Sequence, residues 1–428
     1  MRSWRAAAMV AVLLLVAGVQ PVRAAAPCEG PFGKKEVVEC ALSRSLDVTK
    51  ARQELSVLAG RRVAAGLWLP SNPVVSALVA YRSSTVSGTR ATSLNWYVTL
   101  AQEIEIAGQR STRLAVVDAD AAAQVRRVAV AEQQVASQAA SLYYVILAQK
   151  EILDLTSQVD EAAKGLEDYA VGRLKESLIS PVDASLLRAE TVRMRLLRSE
   201  SERKLVSARA KLAIALGLDP TKPIEIVGAL DVPEAPRELQ ALVDRALSLR
   251  GELLAAEADR KSIVAQLASW KRSLAPNVTV SFTAQNDGFD ERVFGAGLSL
   301  PIPLPAPVGR TYRGEILAAN ASVARAETTI EALKRQIRSE VTEAFHALES
   351  RRGALALFPP DLVAPSLQQL AALRTGLTSR QVPIRESLFA QRSLLELLVS
   401  HIETRAAYAQ AWVDLAYAAG LPLAGASP

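Results

Sequence analysis

The sequence is poor in the residues that build catalytic and metal-binding sites. Its 428 residues include only two histidines, His346 and His401, and two cysteines, Cys28 and Cys40. The histidines lie far apart in helical patterns, and no histidine or cysteine has a spacing typical of a metal site. The sequence also lacks a glycine-rich phosphate loop and a nucleophile elbow. We therefore expect no enzymatic activity and no bound cofactor or metal ion.

Residues that interrupt helices are also scarce. Glycine and proline number 21 each, and aromatic residues make up 5% of the chain against 50% for all hydrophobic residues. Ala, Leu, Arg, Glu and Gln dominate between the turn signals, and these residues lose little side-chain entropy in a helix. The composition predicts a mainly α protein with long helices and argues against a sheet-rich soluble enzyme.

Long hydrophobic runs are absent beyond the N-terminus. The run from Ala6 to Val19 follows two arginines and precedes Val22-Arg23-Ala24, whose small residues suit a signal peptidase. We expect residues 1–24 to be a signal peptide and the chain to be exported. No later segment reaches the roughly eighteen apolar residues of a transmembrane helix. No helix of the mature chain is therefore expected to span a bilayer.

The excess of positive charge is small. The formal net charge is +6, and three arginines, Arg2, Arg5 and Arg23, lie in the predicted signal peptide. The other arginines are interleaved with Glu and Gln along helical patterns, which is typical of a solvated helix face. We therefore expect no nucleic-acid partner.

The two cysteines lie close together just after the predicted cleavage region. In an oxidising compartment such a pair predicts a local disulfide between Cys28 and Cys40. A lipidated N-terminal Cys28 is the alternative, although Pro27 stands where a lipobox normally has a small residue. The sequence leaves both interpretations open.

The sequence contains an internal duplication with an offset of about 200 residues. Five landmarks recur in the same order in both halves, which chance would not maintain. They are Ala41-Leu42-Ser43 and Ala246-Leu247-Ser248, the glycine corners at Gly108 and Gly309, the aromatics Tyr144 and Phe345, the glycines Gly172 and Gly376, and the segments 216–218 and 419–421. We divide the chain into a signal peptide at 1–24, a first repeat at 25–218, a linker at 219–237, a second repeat at 238–421 and a C-terminal tail at 422–428.

Each repeat is expected to hold a helix, then two strands, then two longer helices. The strands are predicted at about 73–82 and 94–106 and, in the second repeat, at about 277–286 and 293–303. The longer helices are predicted at about 111–171 and 182–216, and at about 311–375 and 384–420. A helix of roughly 60 residues extends about 90 Å, far more than a bilayer is thick. These helices must therefore lie outside the membrane.

The strand segments alternate apolar and polar residues. Each segment is about ten residues long, the length that crosses a bilayer when tilted, and the alternation is that of an outer-membrane barrel. A soluble amphipathic sheet would alternate equally well. Under the barrel interpretation the residues facing lipid are Leu94, Trp96, Val98, Leu100, Val278, Val280, Phe282, Leu298 and Leu300.

Four strands per chain cannot close a barrel by themselves. Open sheet edges are not tolerated in lipid, because no water is present to satisfy the backbone. The barrel must therefore be shared between chains. Two chains would give a barrel filled by its own side chains, whereas three chains leave room for a lumen. A conduit therefore implies at least a homotrimer, with outer-membrane lipid around it.

Three segments resemble a known family. Residues 298–304, read Leu-Ser-Leu-Pro-Ile-Pro-Leu and followed by Gly309-Arg310, look like the second strand-to-helix corner of the TolC-like outer-membrane efflux factors. Residues 102–110, read Gln-Glu-Ile-Glu-Ile-Ala-Gly-Gln-Arg, together with Leu-Pro-Ser-Asn-Pro at 69–73, resemble the CzcC-type branch of heavy-metal RND efflux more narrowly. The resemblance covers nearly all of the mature chain.

This resemblance implies a mainly α protomer with a small β membrane part. Three such protomers would form a trimeric twelve-stranded barrel in the bacterial outer membrane, continued by an α-helical periplasmic tunnel with an irregular equatorial belt around 219–237. The channel would be a passive conduit docked to a periplasmic adaptor (membrane fusion) protein and an inner-membrane RND-type pump, which supplies the energy. For the CzcC-type branch the exported cargo is typically divalent heavy-metal cations.

The tips of the long helical hairpins, at 173–181 and 377–383, would form the entrance of the tube. Family members often place aspartates just beyond the second tip glycine, whereas this chain offers residues of both signs. As a hypothesis, a periplasmic gate is formed by charges that pair to keep the entrance closed, namely Asp183, Arg380, Arg385 and Glu386. The alternative is that these are ordinary solvated charges at helix ends.

Two other functions fit parts of the pattern. The same type of channel could carry drugs, organic solutes or a polypeptide of type I secretion. A periplasmic coiled-coil adaptor or scaffold would also have a signal peptide and long helices, but it would not have two lipid-facing hairpins. Extraction by salt or only by detergent would separate the scaffold from the channel.

Overall fold

The computed structural model describes residues 28, 30–86, 89–231, 234, 238–287, 291–302, 304, 308–309, 311–378 and 383–423. The predicted signal peptide and Arg380 lie outside this part of the chain.

Within the described residues, helices and a small sheet follow each other in an order that repeats in the second half, which confirms the mainly α fold class with a small β part. The elements are α1 (Lys34–Arg44), α2 (Leu46–Ala65), β1 (Val74–Val86), β2 (Thr89–Ile104), α3 (Gln109–Lys175), α4 (Pro181–Ala215), α5 (Leu239–Leu249), α6 (Gly251–Arg272), β3 (Val278–Asn286), β4 (Arg292–Ser299), α7 (Arg313–Leu355), α8 (Pro360–Thr378) and α9 (Ile384–Ala418).

The helices of the two halves are interrupted and end at corresponding positions with the same backbone geometry. Ser45, between α1 and α2, and Arg250, between α5 and α6, both have an extended backbone with ψ of 131° and 124°. Gly217 and Gly420, which follow α4 and α9, both have a left-handed backbone with φ of 63° and 64°. In each case the next N–H donates back into the last helical turn at 2.8 Å. This is the usual way in which a glycine ends a helix.

The strand-to-helix corners differ from the expected pair of glycines. Gly108 precedes α3 with a left-handed backbone, but the residue in that position before α7 is Tyr312, with φ of 47°. Gly309 therefore does not take the role expected of it. The structural repeat is offset by a few residues from the glycine match in the sequence.

One antiparallel sheet joins the two halves. Its order is β1-β2-β3-β4, so β2 and β3, which come from different repeats, pair in the middle. β1 and β2 extend farther towards their shared turn than the predicted 73–82 and 94–106. β4 ends at Ser299 rather than near residue 303, because Pro301 has no N–H to donate to a strand ladder.

The second long helix is interrupted, which corrects the prediction of one helix over 311–375. α7 ends at Leu355 and α8 begins at Pro360. Pro359 and Pro360 lack the N–H of a helical hydrogen bond, and a proline also disfavours helical geometry in the residue before it. α3 contains no proline and continues for 67 residues, a length of about 100 Å.

The core lies where the long helices pack side by side. α3 contacts α4, α6, α2 and α9. Small side chains such as Ala136 and Ala140 on α3 and Ala409 and Ala416 on α9 are fully buried, which lets the helix axes approach closely. Within the described residues no helix combines the length and the apolar character needed to cross a membrane.

The linker after α4 is tied to the N-terminal segment. The N–H of Phe32 donates to the carbonyl of Glu225 at 2.9 Å, and that of Val227 donates to the carbonyl of Phe32 at 3.0 Å. A disulfide joins Cys28 to Cys40, with the two Cα atoms 5.6 Å apart. These contacts fix the start of the described chain beside α1.

Candidate functional site in the sheet and the helix tips

The sheet brings the predicted apolar residues of three strands onto one face. Directly paired residues of neighbouring strands share a face. Leu100 pairs with Phe282, and Val280 pairs with Leu298. Trp96 and Val98 alternate along β2 on the same side as Leu100. Leu300 lies just past the last residue of β4, so its place on this face is not fixed by strand pairing.

Sequence reasoning missed the contribution of β1 to this apolar face. Val75, Val79 and Tyr81 pair with Leu100, Trp96 and Leu94 respectively, so they share the face. The sequence of β1 alternates poorly because residues of its other face, such as Val74 and Leu78, are also apolar. Only the pairing with β2 shows which β1 residues belong to the apolar face.

The apolar face is open to solvent in the single chain. Leu298 is 79% exposed, Tyr81 is 85% exposed and Phe282 is 58% exposed. Covering one large apolar side chain contributes about 1.5–3 kcal/mol. A contiguous face of such residues therefore requires lipid or protein against it.

The opposite face of the sheet is polar along the two central strands, β2 and β3. The hydroxyls of the paired residues Thr99 and Thr283 lie 3.1 Å apart within hydrogen-bonding distance. Arg82 on β1 forms an ion pair with Asp287, which follows β3, across the intervening strand. A polar face of this kind suits a water-filled interior.

The helix tips bring two of the four predicted gate residues together. Nε of Arg385, in the first turn of α9, lies 3.9 Å from Oδ1 of Asp183, in the first turn of α4. Ser180 holds the aspartate, since its hydroxyl donates to Oδ2 at 2.8 Å and accepts from the Asp183 N–H at 3.0 Å. Glu386 follows Arg385 in the first turn of α9, and Arg380 lies outside the described residues.

A second pair, which sequence reasoning missed, joins the same two helices farther from the tips. Nε of Arg392 donates to Oε2 of Glu190 at 2.9 Å, and the glutamate side chain is 1% exposed. The hydrogen bond from Arg392 to Glu190 raises the pKa of the guanidinium. Glu190 follows Asp183 by seven residues on α4, and Arg392 follows Arg385 by seven residues on α9. This heptad spacing is the signal in the sequence that could have identified the second pair.

α9 also buries polar side chains along this stretch. Ser387 and Gln391 on α9 are buried, and neither the Ser387 hydroxyl nor the Gln391 amide nitrogen has a hydrogen-bond partner among the described residues. A buried polar group without a partner costs about 1–3 kcal/mol. A separate small apolar cluster that includes Leu187 and Leu388 packs nearer the tips.

Comparison with known proteins found similar sequences. No protein-family model matches this chain. The Cobalt-zinc-cadmium resistance protein CzcC of Cupriavidus metallidurans is 24% identical over 382 residues, which cover 87% of this chain and 86% of that protein. Protein CyaE of Bordetella pertussis is 25% identical over 348 residues, which cover 77% of this chain and 73% of that protein.

Comparison with solved structures agrees with the fold described above. The crystal structure of the Campylobacter jejuni CmeC outer membrane channel superposes with a TM-score of 0.74 over 92% of this chain and 87% of that chain, at 13% identity. That neighbour is a channel rather than an enzyme, which agrees with the lack of catalytic motifs in this sequence. The chain therefore has the fold of the TolC-like outer-membrane channels, and it resembles that family along nearly its whole length.

Proposed function

We propose that three copies of this chain form an outer-membrane efflux channel, a passive conduit from the periplasm to the exterior. The observation that carries the proposal is the sheet, which has one apolar face, an opposite face that is polar along β2 and β3, and edges at β1 and β4 that are open among the described residues. The sheet leads from β2 into α3, a helix about 100 Å long. A membrane part joined to a long extension outside the membrane is what such a conduit requires.

The open edges support the trimer. In lipid, every backbone N–H and C=O of β1 and β4 needs a partner, and a second copy offers the complementary edge. Three copies contribute twelve strands, which leave a lumen lined by the polar face that includes Thr99 and Thr283. The apolar face, including Leu100, Phe282 and Leu298, then lies against lipid.

The helix tips lie at the opposite end of the molecule from the sheet. In the proposed assembly they meet a periplasmic adaptor protein and an inner-membrane RND-type pump, which supplies the energy for export. The Asp183–Arg385 pair lies at these tips, and we place it with Arg380 and Glu386 at the constriction that closes the entrance. An exposed pair contributes less than about 1 kcal/mol, so a docked partner can open it readily.

The cargo we propose is divalent heavy-metal cations. Support comes from the relative named for cobalt, zinc and cadmium resistance, which is similar over most of both chains. A conduit releases its cargo, so it does not need a tight chelating site. Organic solutes, drugs and polypeptides of type I secretion are the alternative cargoes, and transport with a reconstituted pump distinguishes them.

Extraction and mass test the proposal against a periplasmic scaffold. We expect the chain to stay in the outer-membrane fraction after washing with high salt or carbonate and to enter solution only with detergent. Light scattering of the detergent-solubilised protein should then give the mass of three chains. Release by salt as a monomer would contradict the channel and favour a coiled-coil scaffold.

A further inference from the structure

Trp68 lies between α2 and β1, and its side chain is 79% exposed. The backbone of the two residues before it is nevertheless hydrogen-bonded to the first turns of α3. Nε of Arg110 donates to the carbonyl of Gly66 at 2.8 Å, and Nη2 of Arg113 donates to the carbonyl of Leu67 at 3.3 Å. The exposure of the indole is therefore built into the fold and is not the result of a loose loop.

The guanidinium of Arg110 stacks on this indole, with its central carbon 4.1 Å from the ring centroid. Within the described residues Arg110 has no acidic partner, whereas its neighbour Arg113 pairs with Glu105. Arg110 is half-buried, and the outer end of its guanidinium lies beside an exposed aromatic ring without an acidic partner among those residues. A guanidinium in this position suits the oxygens of a phosphate group.

The Trp68–Arg110 pair lies where the sheet meets the long helices. β1 begins at Val74, and α3 begins at Gln109, shortly after β2 ends. Large exposed apolar residues flank the strands in sequence at this end of the sheet; they are Leu67, Leu69, Ile106 and Ile302. The second repeat places another aromatic stack at its own junction, where Trp270 lies 5.8 Å from Tyr312.

We propose that Trp68 and Arg110 form a headgroup site for a phospholipid in the leaflet that faces the helices. The indole lies at the boundary between the acyl chains and water, a position that suits an amphipathic ring. The guanidinium binds the lipid phosphate. The site would fix the depth at which the sheet sits in the bilayer. This inference rests on the proposed channel, because it requires the apolar face to lie in lipid.

Fluorescence quenching in vesicles tests the inference. The full chain is reconstituted in phosphatidylethanolamine and phosphatidylglycerol that carry bromines near the glycerol end of the acyl chains. Trp68→Phe should lower the bromine-quenchable tryptophan emission about twofold, because this indole lies at that depth. Trp96→Phe removes an indole from the apolar face of the sheet, so its effect on the quenchable emission shows whether the sheet lies in the bilayer. Trp412→Phe is the matched control, since Trp412 is buried among helices, and it should leave the quenchable emission unchanged.

The outcomes separate this inference from the channel itself. Loss of quenchable emission in both Trp68→Phe and Trp96→Phe supports the headgroup site. Loss only in Trp96→Phe would overturn the site, since Trp68 would then lie in water or against another protein chain, while leaving the channel intact. Loss in neither variant would overturn both, because the sheet would not be in lipid.

Charge removal tests the role of the guanidinium. In vesicles, Arg110→Gln should make Trp68 about twofold more accessible to quenching by acrylamide. The emission of Trp68 is obtained by subtracting that of the same chain with Trp68→Phe. Arg62→Gln is the control, since Arg62 pairs with Asp118 on the neighbouring helix, and it should change nothing. Equal accessibility in Arg110→Gln and the parent chain would overturn the phosphate contact. If inorganic phosphate in detergent protects Trp68 from acrylamide as well as the vesicle lipid does, the site does not require a lipid. That result would also overturn the proposal.

Discussion

Glu190 and Arg392 join α4 to α9 through an ion pair whose carboxylate is 1% exposed and whose guanidinium reaches solvent. Removing the arginine leaves a buried carboxylate without its partner, whereas changing the glutamate to glutamine leaves a neutral amide. We expect Arg392→Gln to lower the free energy of unfolding by about 3 kcal/mol and Glu190→Gln to lower it less. Thermal unfolding in detergent, followed by circular dichroism, measures both effects.

The matched control is Arg203→Gln, which removes an arginine from an exposed pair with Glu200 on the same helix. Its melting temperature should equal that of the parent chain. If Arg392→Gln melts no earlier than Arg203→Gln, the pair does not hold the two helices together. The double variant with Glu190→Gln should recover part of the stability lost in Arg392→Gln.

The charges at the tips should control the open state. Because Asp183 and Arg385 lie 3.9 Å apart on helices of different repeats, neutralising either one removes a contact that holds the hairpins together. We expect Asp183→Asn and Arg385→Gln each to raise the mean conductance of reconstituted channels by about twofold. Unchanged conductance in both, matching an Arg203→Gln control, would show that these residues are ordinary helix-end charges.

The N-terminal disulfide should add to stability. It closes a loop with a sequence separation of 12 residues between Cys28 and Cys40. The double change Cys28→Ser and Cys40→Ser should lower the free energy of unfolding by about 2–3 kcal/mol, mainly by loosening the constraint on the unfolded chain. Mass spectrometry of the native protein should show two fewer hydrogens than the reduced form and no acyl group. An acyl-modified Cys28 would contradict the disulfide and establish the lipidated alternative.

Asp414 on α9 should make the fold less stable as the pH rises. Burial raises the pKa of its carboxyl above the ordinary value of 3.8. Below that value the group is protonated in both states. As the pH rises, the unfolded chain ionises first, and stability is lost until the pH passes the raised pKa of the folded state. Asp414→Asn should therefore stabilise the protein more at pH 7 than at pH 4.

Melting temperatures at the two pH values check this prediction. Asp219→Asn is the control of opposite sign, because a hydrogen bond from Thr221 lowers the pKa of Asp219. That variant should lose a little stability at pH 7 and none at low pH. An Asp414→Asn protein that is equally stabilised at both pH values would show that the effect is not one of ionisation.

The positions of helices could be predicted from local sequence where breakers are clear. α3 covers the predicted range of 111–171 because that segment contains no proline. The second long helix was predicted as one, although the adjacent Pro359 and Pro360 carried the signal for its break. The prediction of one helix over 311–375 gave these two prolines no weight.

The contacts between repeats could not be predicted in the same way. Glu190 and Arg392 show the same heptad spacing from Asp183 and Arg385, but the sequence does not state that α4 packs against α9. The face of β1 was likewise undetermined, because Val74 and Val75 are equally apolar and only the pairing with β2 assigns them to opposite faces. Both kinds of information depend on tertiary contacts between distant segments.

Single-channel recording in planar bilayers tests the central claim most directly. The detergent-purified protein, shown to be a trimer, should insert and produce discrete, intermittently open current steps, because its polar sheet face encloses water and its tips restrict the entrance. The steps should be independent of any added nucleotide or cofactor. A protein that incorporates into the bilayer as a trimer and never conducts, in the parent chain and in Asp183→Asn and Arg385→Gln alike, would contradict the account of a conduit.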